Sequence, residues 1–413
     1  MLPDGVAGQF APQTLPARET EPPPDRSQGA PALLRRDDHH PRQVAQSDGP
    51  PTASRSRTMT RALILAEGFR LQYRVLRCAV ECFDEVFVLG AAGAEQLRYS
   101  RFCKRYIRSD RSFADMQPDD VCTIDRLCHR LQIDMVLPSC GETTRFLSLY
   151  GDRLGVACYP VPSCETFDIL NSKLNFARAC TALAVPVPRT HVFDTAEAVR
   201  REAASGGLPF PLVLKPDNMW GSFGVRRVDT PDQLPGQIDY APIICQEYIP
   251  GRDISAFYIC KAGRVVNSFV YSRSNARLVC LQVEHLDEYA EIIVGHFKYD
   301  GTIGFDARQD PDGRIAFIEC NPRFWYRMDV AMIAGLNFVT LGCEMRQERH
   351  VGDLGRVELR SPRRLCRNIL TPWRLNAVER AYLGYLTRDP IINAWAGLRS
   401  ALGANRVVSG QQL

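Results

Sequence analysis

The stretch at residues 302–325, TIGFDARQDPDGRIAFIECNPRFW, carries polar residues in a pattern that suits the binding of a metal ion. Glu319 and Asn321 are two residues apart, so on a β-strand their side chains project from the same face. Glu319 follows a run of apolar residues, and Asp306 supplies a second carboxylate on the preceding strand. Two carboxylates and an amide oxygen suit a hard cation such as Mg²⁺, which also takes phosphate oxygens.

An ordinary hairpin with solvated charges is the alternative interpretation, because the sequence QDPDG at residues 309–313 is a common kind of acidic turn. Asp306 faces Glu319 only in some registers of this hairpin, and the two strand sequences leave the register open. Arg323 follows directly and presents a planar cation suited to phosphate or carboxylate.

A second polar group surrounds the short apolar strand at residues 210–216, FPLVLKP. Lys215 at the end of this strand loses exposure and is expected to point at an anion. In the loop that follows, Gly221 and Gly224 allow backbone N–H groups to approach phosphate oxygens closely. The alternative is a glycine-rich hairpin whose lysine extends to the solvent.

A third group follows the strand predicted at residues 242–245, where the sequence continues as QEYIPGRD. Backbone N–H and C=O groups in such a polar hinge can pair with the edge of a flat base. Asp253 can accept hydrogen bonds from ribose hydroxyls. A plain strand–turn–strand, with its turn at Pro250-Gly251, is the alternative.

The elements expected to position these residues alternate between strand and helix, which predicts a parallel sheet with helices on both faces. Neither GxGxxG nor GxxxxGK[ST] occurs, which argues against dinucleotide and P-loop sites. Further on, the pattern predicts antiparallel strands and one helix. The predicted elements are strands at 62–66, 85–89 and 135–138, helices at 71–82 and 142–154, strands at 255–260 and 265–270, and a helix at 285–296.

The composition is that of a globular protein of two or three domains, with 413 residues, 45% hydrophobic and 24% charged. A net charge of +4 is too small to argue for nucleic acid, and no nucleic-acid partner is expected. The most apolar run, residues 330–343, is interpreted as one packed helix. The 15 cysteines include no CxxC pair and favour the reduced cytoplasm.

The N-terminal residues 1–58 differ in composition from the rest of the chain. They hold ten of the 28 prolines and show no hydrophobic periodicity, so we expect a disordered extension. The pattern changes abruptly at Met59, which is our hypothesis for the initiator. N-terminal sequencing of the native protein checks it.

Five motifs together resemble the ATP-grasp superfamily and, within it, the carboxylate–amine or carboxylate–thiol ligases. The resemblance covers about residues 61–345. One departure is Met219-Trp220, where the family usually has small or polar residues. The motifs, in order, are Asn171-Ser172-Lys173, VLKP with its glycine loop, QEYIPGRD, GFDAR and IECNPR.

The resemblance implies an α/β and α+β architecture. A flavodoxin-like pre-ATP-grasp domain would span residues 59–163. The ATP-grasp domain would span residues 164–345, with subdomains 164–245 and 246–345 that hold ATP between antiparallel sheets. Beyond the resemblance, the basic composition and helical pattern of residues 346–413 predict a basic helical tail, with helices at 377–386 and 392–402, that packs on the grasp domain. Contact of this tail with a membrane or an acidic partner is the less favoured alternative.

The resemblance also implies roles for individual residues. Lys173 and Lys215 would contact ATP phosphates, and Arg323 would act with Lys215 at the reacting end. One or two Mg²⁺ ions, or Mn²⁺ in their place, would be held by Asp306, Glu319 and Asn321. The remaining nucleotide contacts would be Gly221, Ser222 and Gly224 in the loop, Gln246, Glu247, Tyr248 and Ile249 around the adenine, and Asp253 at the ribose.

The implied activity is that of an ATP-dependent ligase, which activates a substrate carboxylate as an acyl phosphate for attack by an amine or thiol. An ATP-grasp kinase without an amine acceptor is the alternative; a binding module without activity and an oxidoreductase are less favoured. Small carboxylate and amine substrates are expected as partners, and a homodimer is left open. Candidate residues for the substrate pocket are Glu142, Arg145, Tyr271, Arg273 and Arg277.

Overall fold

The computed structural model describes residues 59–217, 224–274, 277–344, 358–360, 365 and 371–394. The predicted disordered extension, residues 1–58, lies outside these ranges. So do residues 218–223, which include Gly221 and Ser222, and most of the predicted helix at 392–402.

The first part of the described chain alternates strands and helices, as predicted. Its five strands are parallel in the order β3-β2-β1-β4-β5, so β1 and β4 are neighbours at the centre of the sheet. β3, α2 and β5 were not predicted, and β3 is a short edge strand with partly exposed residues. The elements are β1 (Arg61–Ala66), α1 (Arg70–Ala79), β2 (Glu85–Gly90), β3 (Arg105–Arg108), α2 (Pro118–Leu131), β4 (Met135–Leu137), α3 (Gly141–Tyr150) and β5 (Ala157–Cys158).

The next part builds a four-stranded antiparallel sheet with the order β6-β9-β7-β8. Leu212 and Leu214 of β7 pack with Val199 and Ala203 of the helix α6 in a small core of their own. The elements are α4 (Cys164–Asn171), α5 (Lys173–Ala182), β6 (Thr190–Phe193), α6 (Ala196–Ala204), β7 (Leu212–Pro216), β8 (Arg226–Val228) and β9 (Ile243–Glu247).

A six-stranded antiparallel sheet follows, with the order β14-β13-β10-β11-β12-β15. One face packs against α5 and α7, and the opposite face carries the polar residues of the predicted site. The elements are β10 (Arg252–Lys261), β11 (Arg264–Ser274), β12 (Arg277–Cys280), α7 (Leu286–His296), β13 (Gly301–Gln309), β14 (Ile315–Asn321), α8 (Met328–Ile333), α9 (Phe338–Glu344) and β15 (Glu358–Arg360).

Two sequence interpretations are wrong in detail. Residues 330–343 do not form one helix, because Gly335 adopts a φ of +100° that ends α8 before α9 begins. The strand predicted to end at residue 245 continues through Gln246, which pairs with both β6 and β7, and Glu247, which pairs with β7. Short 3₁₀ helices lie at Ala92–Tyr99, Gly151–Arg153, Pro231–Gln233 and Pro372–Arg374.

The described part of the C-terminal tail contains α10 (Ala377–Thr387), which confirms the helix predicted at 377–386. This helix packs on α8 and β15 and also on α1 of the parallel-sheet part. The buried Arg77 of α1 donates to the carbonyl oxygen of Tyr385 at 2.9 Å. The tail thus joins the first and last parts of the chain rather than packing on the grasp sheets alone. No described helix combines the length and apolarity needed to cross a membrane.

Candidate functional site

A β-bulge sets the register between β13 and β14, the strands that carry Asp306 and Glu319. Asp306 of β13 is opposite Glu319 of β14, and Gly304 is opposite Asn321. The register shifts between Asp306 and Ala307, so Ile318 is an extra residue on β14. Regular alternation would turn Glu319 to the face of the buried Phe317; the bulge turns it to the face of Asp306. The register that the sequence left open therefore brings the two carboxylates together.

The two predicted lysines converge on this carboxylate pair. Lys215 is 3% exposed, and its Nζ donates to Gln246 Oε1 at 2.8 Å and to the carbonyl oxygen of Ile318 at 3.3 Å. The bulged residue thus directs its carbonyl group to Lys215. Lys173 Nζ lies 3.6 Å from Glu319 Oε2 and donates to the carbonyl oxygen of Asp217 at 3.0 Å. The ammonium groups of Lys173 and Lys215 are therefore held where they would contact negatively charged groups of a bound ligand.

Burial and neighbouring charges shift the ionisation of this cluster. Burial lowers the pKa of Lys215 to about 8, although the Glu319 carboxylate opposes the change. Burial alone would raise the pKa of Glu319, but Lys173 and Lys215 hold it below its ordinary value. Burial and the nearby Glu319 raise the pKa of Asp306. The cluster thus combines an ionised Glu319 with a carboxyl group that resists ionisation until a cation is near.

Asn321 sits between the carboxylates but faces them with its nitrogen. Nδ2 donates to Asp306 Oδ2 at 3.3 Å and to Glu319 Oε1 at 3.4 Å. Oδ1 accepts from Arg323 Nη2 at 2.7 Å. To act as the predicted metal ligand, the amide must rotate and release Arg323. Arg323 itself lies beside Gly141 at the start of α3, so the reacting end of the predicted site adjoins the parallel-sheet part.

The carboxylate pair fits a divalent cation. Asn321 Nδ2 donates to both Asp306 and Glu319, and the place between these two carboxylates is one where a cation would be stabilised. Among the described residues, no group of three or more His, Cys, Asp or Glu side chains could hold a metal. Two carboxylates match Mg²⁺, which typically takes one or two together with phosphate oxygens and water.

The predicted adenine segment is only partly available for hydrogen bonding. The N–H groups of Glu247 and Tyr248 donate to the carbonyl oxygens of Arg189 and Pro211, at 2.8 and 3.0 Å. Within the described residues, the Ile249 N–H has no such acceptor, which makes it the hinge donor best placed for a base. The Gln246 side chain is occupied as well, since Nε2 donates to Thr190 Oγ1 at 3.0 Å.

Asp253, the predicted ribose residue, lies at the start of β10. Its side chain is 60% exposed, and Oδ1 accepts from Arg308 Nη1 at 2.7 Å. Gly224, beyond the undescribed part of the loop, has a φ of +72°, and an added Cβ would lie 3.0 Å from the Tyr240 ring. Its role in the predicted loop stays a prediction.

Three residues of this region were missed by the sequence reasoning. Ser255 Oγ donates to Asp306 Oδ1 at 2.8 Å, and its position two residues after Asp253 on the same strand was a usable signal. Asp217 accepts from Ser172 Oγ at 3.0 Å and from the Leu174 N–H at 2.9 Å, which caps α5 from outside. No sequence signal links Asp217 to a helix so distant along the chain. Arg308 is the third of these residues, and its Nη1 donates to Asp253 Oδ1.

The candidate substrate-pocket residues contact different partners. Arg145 donates to Asp168 Oδ1 at 2.7 Å, and Arg277 pairs with Glu358 of β15. Tyr271 is buried opposite Ser255, next to the carboxylate site. Tyr271 thus lies beside the predicted reaction centre, and Arg273 is close enough to Asp306 to oppose the rise in the pKa of that carboxyl group.

Comparisons with known proteins agree with this architecture. Residues 239–364 match the family model described as ATP-grasp in the biosynthetic pathway with Ter operon. No curated protein sequence matches the chain.

Three solved structures are similar in fold. Biotin carboxylase from Campylobacter jejuni, as a β-γ-ATP complex, is 17% identical, with a TM-score of 0.55 over 71% of this chain and 72% of that one. The biotin carboxylase domain dimer of Hydrogenobacter thermophilus 2-oxoglutarate carboxylase, with MgADP, is 16% identical, with a TM-score of 0.55 over 72% and 73%. L-amino acid ligase from Bacillus licheniformis is 15% identical, with a TM-score of 0.52 over 70% and 75%. The fold implied by the five motifs is therefore confirmed: the chain has the ATP-grasp fold.

Proposed function

We propose that this protein is an ATP- and Mg²⁺-dependent ligase that joins a carboxylate to an amine or a thiol. One observation carries the proposal: the register of β13 and β14 sets Asp306 opposite Glu319, and two lysines converge on the same point. The ligands named for two of the similar structures, a β-γ-ATP complex and MgADP, agree with the nucleotide. The L-amino acid ligase agrees with the type of reaction.

In the proposed reaction, an oxygen of the substrate carboxylate attacks the γ-phosphorus of ATP, and ADP leaves. The amine nitrogen or thiol sulfur then attacks the carbonyl carbon of the acyl phosphate, inorganic phosphate leaves with the electron pair of the C–O bond, and the proton of the attacking group passes to the released phosphate or to water. Such phosphoryl transfer needs mainly orientation of the groups and neutralisation of charge. No nucleophilic side chain is required of the protein.

The residues of the site have separate roles in the proposed reaction. Lys173 and Lys215 neutralise phosphate oxygens, and Arg323 Nη2, once Asn321 turns away, can donate to the transferred phosphate or the acyl group. Asp306, Glu319 and the rotated amide of Asn321 would hold Mg²⁺, which supplies further neutralisation of phosphate charge. Ser255 keeps the Asp306 carboxylate oriented toward the site.

The test is an assay of ATP hydrolysis against mixtures of carboxylates and amines or thiols, with a separate measurement of ADP, phosphate and the coupled product. A ligase consumes ATP only when both an acyl substrate and an acceptor are present. ADP formation with a phosphorylated, uncoupled product would instead favour the kinase. Absence of any ATP binding would overturn both. A cytoplasmic location stays a prediction, a homodimer stays open, and contact of the tail with membranes stays the less favoured alternative.

A further inference from the structure

Arg308 of β13 holds the hinge between the two antiparallel sheets. It lies two residues after Asp306 and pairs in register with Asp253, so it shares a face with the carboxylate site. Its Nη1 donates to Asp253 Oδ1 at 2.7 Å, and its Nη2 donates to the carbonyl oxygen of Gly251 at 2.8 Å. One guanidinium group therefore fixes both the backbone and the carboxylate of the hinge.

The guanidinium group is itself held in place. The Arg308 side chain is only 11% exposed, and its buried Nε has no acceptor among the described residues. Its centre lies 4.9 Å from the ring centroid of Tyr248, and Arg227 of the four-stranded sheet lies 4.0 Å from the same centroid. Tyr248 thus contacts one cation from each sheet, which limits the orientations open to Arg308.

The ion pair with Arg308 uses only one of the two carboxylate oxygens of Asp253. Oδ1 accepts from Arg308, whereas Oδ2 accepts no hydrogen bond from the residues that the structure describes, and the side chain is 60% exposed. A carboxylate fixed at one oxygen presents the other in a defined direction, which favours a hydroxyl donor at a fixed place over water. Vicinal hydroxyls of a ribose are donors of this kind.

We propose that Arg308 is a positioning residue that orients Asp253 toward the ribose hydroxyls, so that the site discriminates ribonucleotides from deoxyribonucleotides. The inference rests on the proposed function, because it takes the nucleotide to lie along the hinge. It adds a residue whose role is to set the direction of the Asp253 carboxylate rather than to touch the phosphates or the reacting atoms.

The experiment measures by calorimetry the affinities of the full chain for Mg-ATP, Mg-2′-deoxy-ATP and Mg-3′-deoxy-ATP. The wild type is expected to bind ATP about tenfold more tightly than at least one deoxy analogue, as one hydrogen bond to a charged group can supply. In R308M this ratio falls toward one. Asp253→Asn tests the same pair from the other side and is expected to lose the preference too.

R252M is the matched control. Arg252 is a neighbour of Asp253 on β10 and donates to the Gln309 side chain at 2.8 Å instead of to the hinge, so the wild-type ratio should remain. An unchanged ratio in folded R308M, or a wild type that binds ATP without preferring the ribose, overturns this inference alone. A wild type that binds none of the three nucleotides overturns the proposed function with it.

Discussion

Asp306 and Glu319 face each other across β13 and β14 because Ile318 is an extra residue in the second strand. The same bulge directs the Ile318 carbonyl group to Lys215 Nζ, at 3.3 Å. One irregularity in the ladder therefore both pairs the carboxylates and seats a buried cation beside them. Bulges commonly re-aim side chains next to functional sites, and this one does so in two directions.

The first prediction concerns the charge of Glu319. E319Q keeps the shape of the side chain but removes the negative charge that faces Lys173 and a bound cation. We expect turnover to fall about 100-fold or more, since preorganised charges at such sites typically contribute that much. Steady-state ATP consumption measures the change, and circular dichroism checks that the variant is folded.

Asp312→Asn provides the matched control in the same hairpin. Its side chain lies in the turn and is 73% exposed. The control should retain the activity of the wild type. Full ATP consumption by E319Q would contradict the metal assignment.

The second prediction concerns the nucleotide. A ligand that binds only the folded state raises the free energy of unfolding, by about 2.7 kcal/mol at a hundredfold excess over its Kd. Thermal unfolding with Mg-ATP should therefore shift upward, and by less with ATP plus a chelator. The absence of a shift at millimolar Mg-ATP would argue for a protein that does not bind ATP.

The third prediction follows from the burial of Lys215. Because burial lowers the pKa of this amine to about 8, it loses its proton, and its attraction for phosphate, as the pH rises through about 8. The affinity for Mg-ATP should therefore weaken between pH 7 and 9 in the wild type. Calorimetry across this range measures the effect. K215R should show a flatter profile, and an identical decline in this variant would assign the titration to another group.

The same shift affects stability without nucleotide. Between pH 8 and the ordinary value of 10.5, the unfolded chain keeps a proton on Lys215 that the folded chain has lost. The contribution of Lys215 to the free energy of unfolding therefore rises with pH in this window. Its size should be read as the difference between the wild type and K215M in denaturant unfolding at several pH values.

The fourth prediction concerns the docking of the C-terminal tail. Asp389 is 2% exposed and accepts from Ser100 Oγ, the Tyr73 hydroxyl and the Arg101 N–H of the parallel-sheet part. Asp389→Ala leaves these donors unpaired, and we expect a loss of about 3 kcal/mol in the free energy of unfolding. Urea unfolding with an unchanged m-value measures the loss.

Arg388→Ala tests the neighbouring exposed position. This side chain is 67% exposed and lies 3.8 Å from Glu81, so its removal should change stability by less than about 0.5 kcal/mol. Equal effects of the two substitutions would show that the tail is not held by the buried carboxylate.

The local sequence was sufficient for much of the fold. The run RALILA forms β1 because its residues from Ala62 to Ala66 are apolar throughout, as a strand buried on both faces requires. The hairpin of β13 and β14 follows from alternating residues around an Asp-Gly turn. The motifs around Lys215 and Glu319 predicted the fold, because residue types in a fixed order along the chain can be recognised without knowledge of distances.

The tertiary structure decided the relationships between residues that lie far apart in the chain. The pairing of Asp306 with Glu319 needed the bulge at Ile318, and a one-residue difference in register turns a side chain to the opposite face of a sheet. The cap that Asp217 forms on α5 joins residues more than forty positions apart. The hydrogen bond between Asp389 and Ser100 joins the C-terminal tail to the parallel-sheet part. Periodicity describes which face of an element is apolar, but only packing determines which other element covers it.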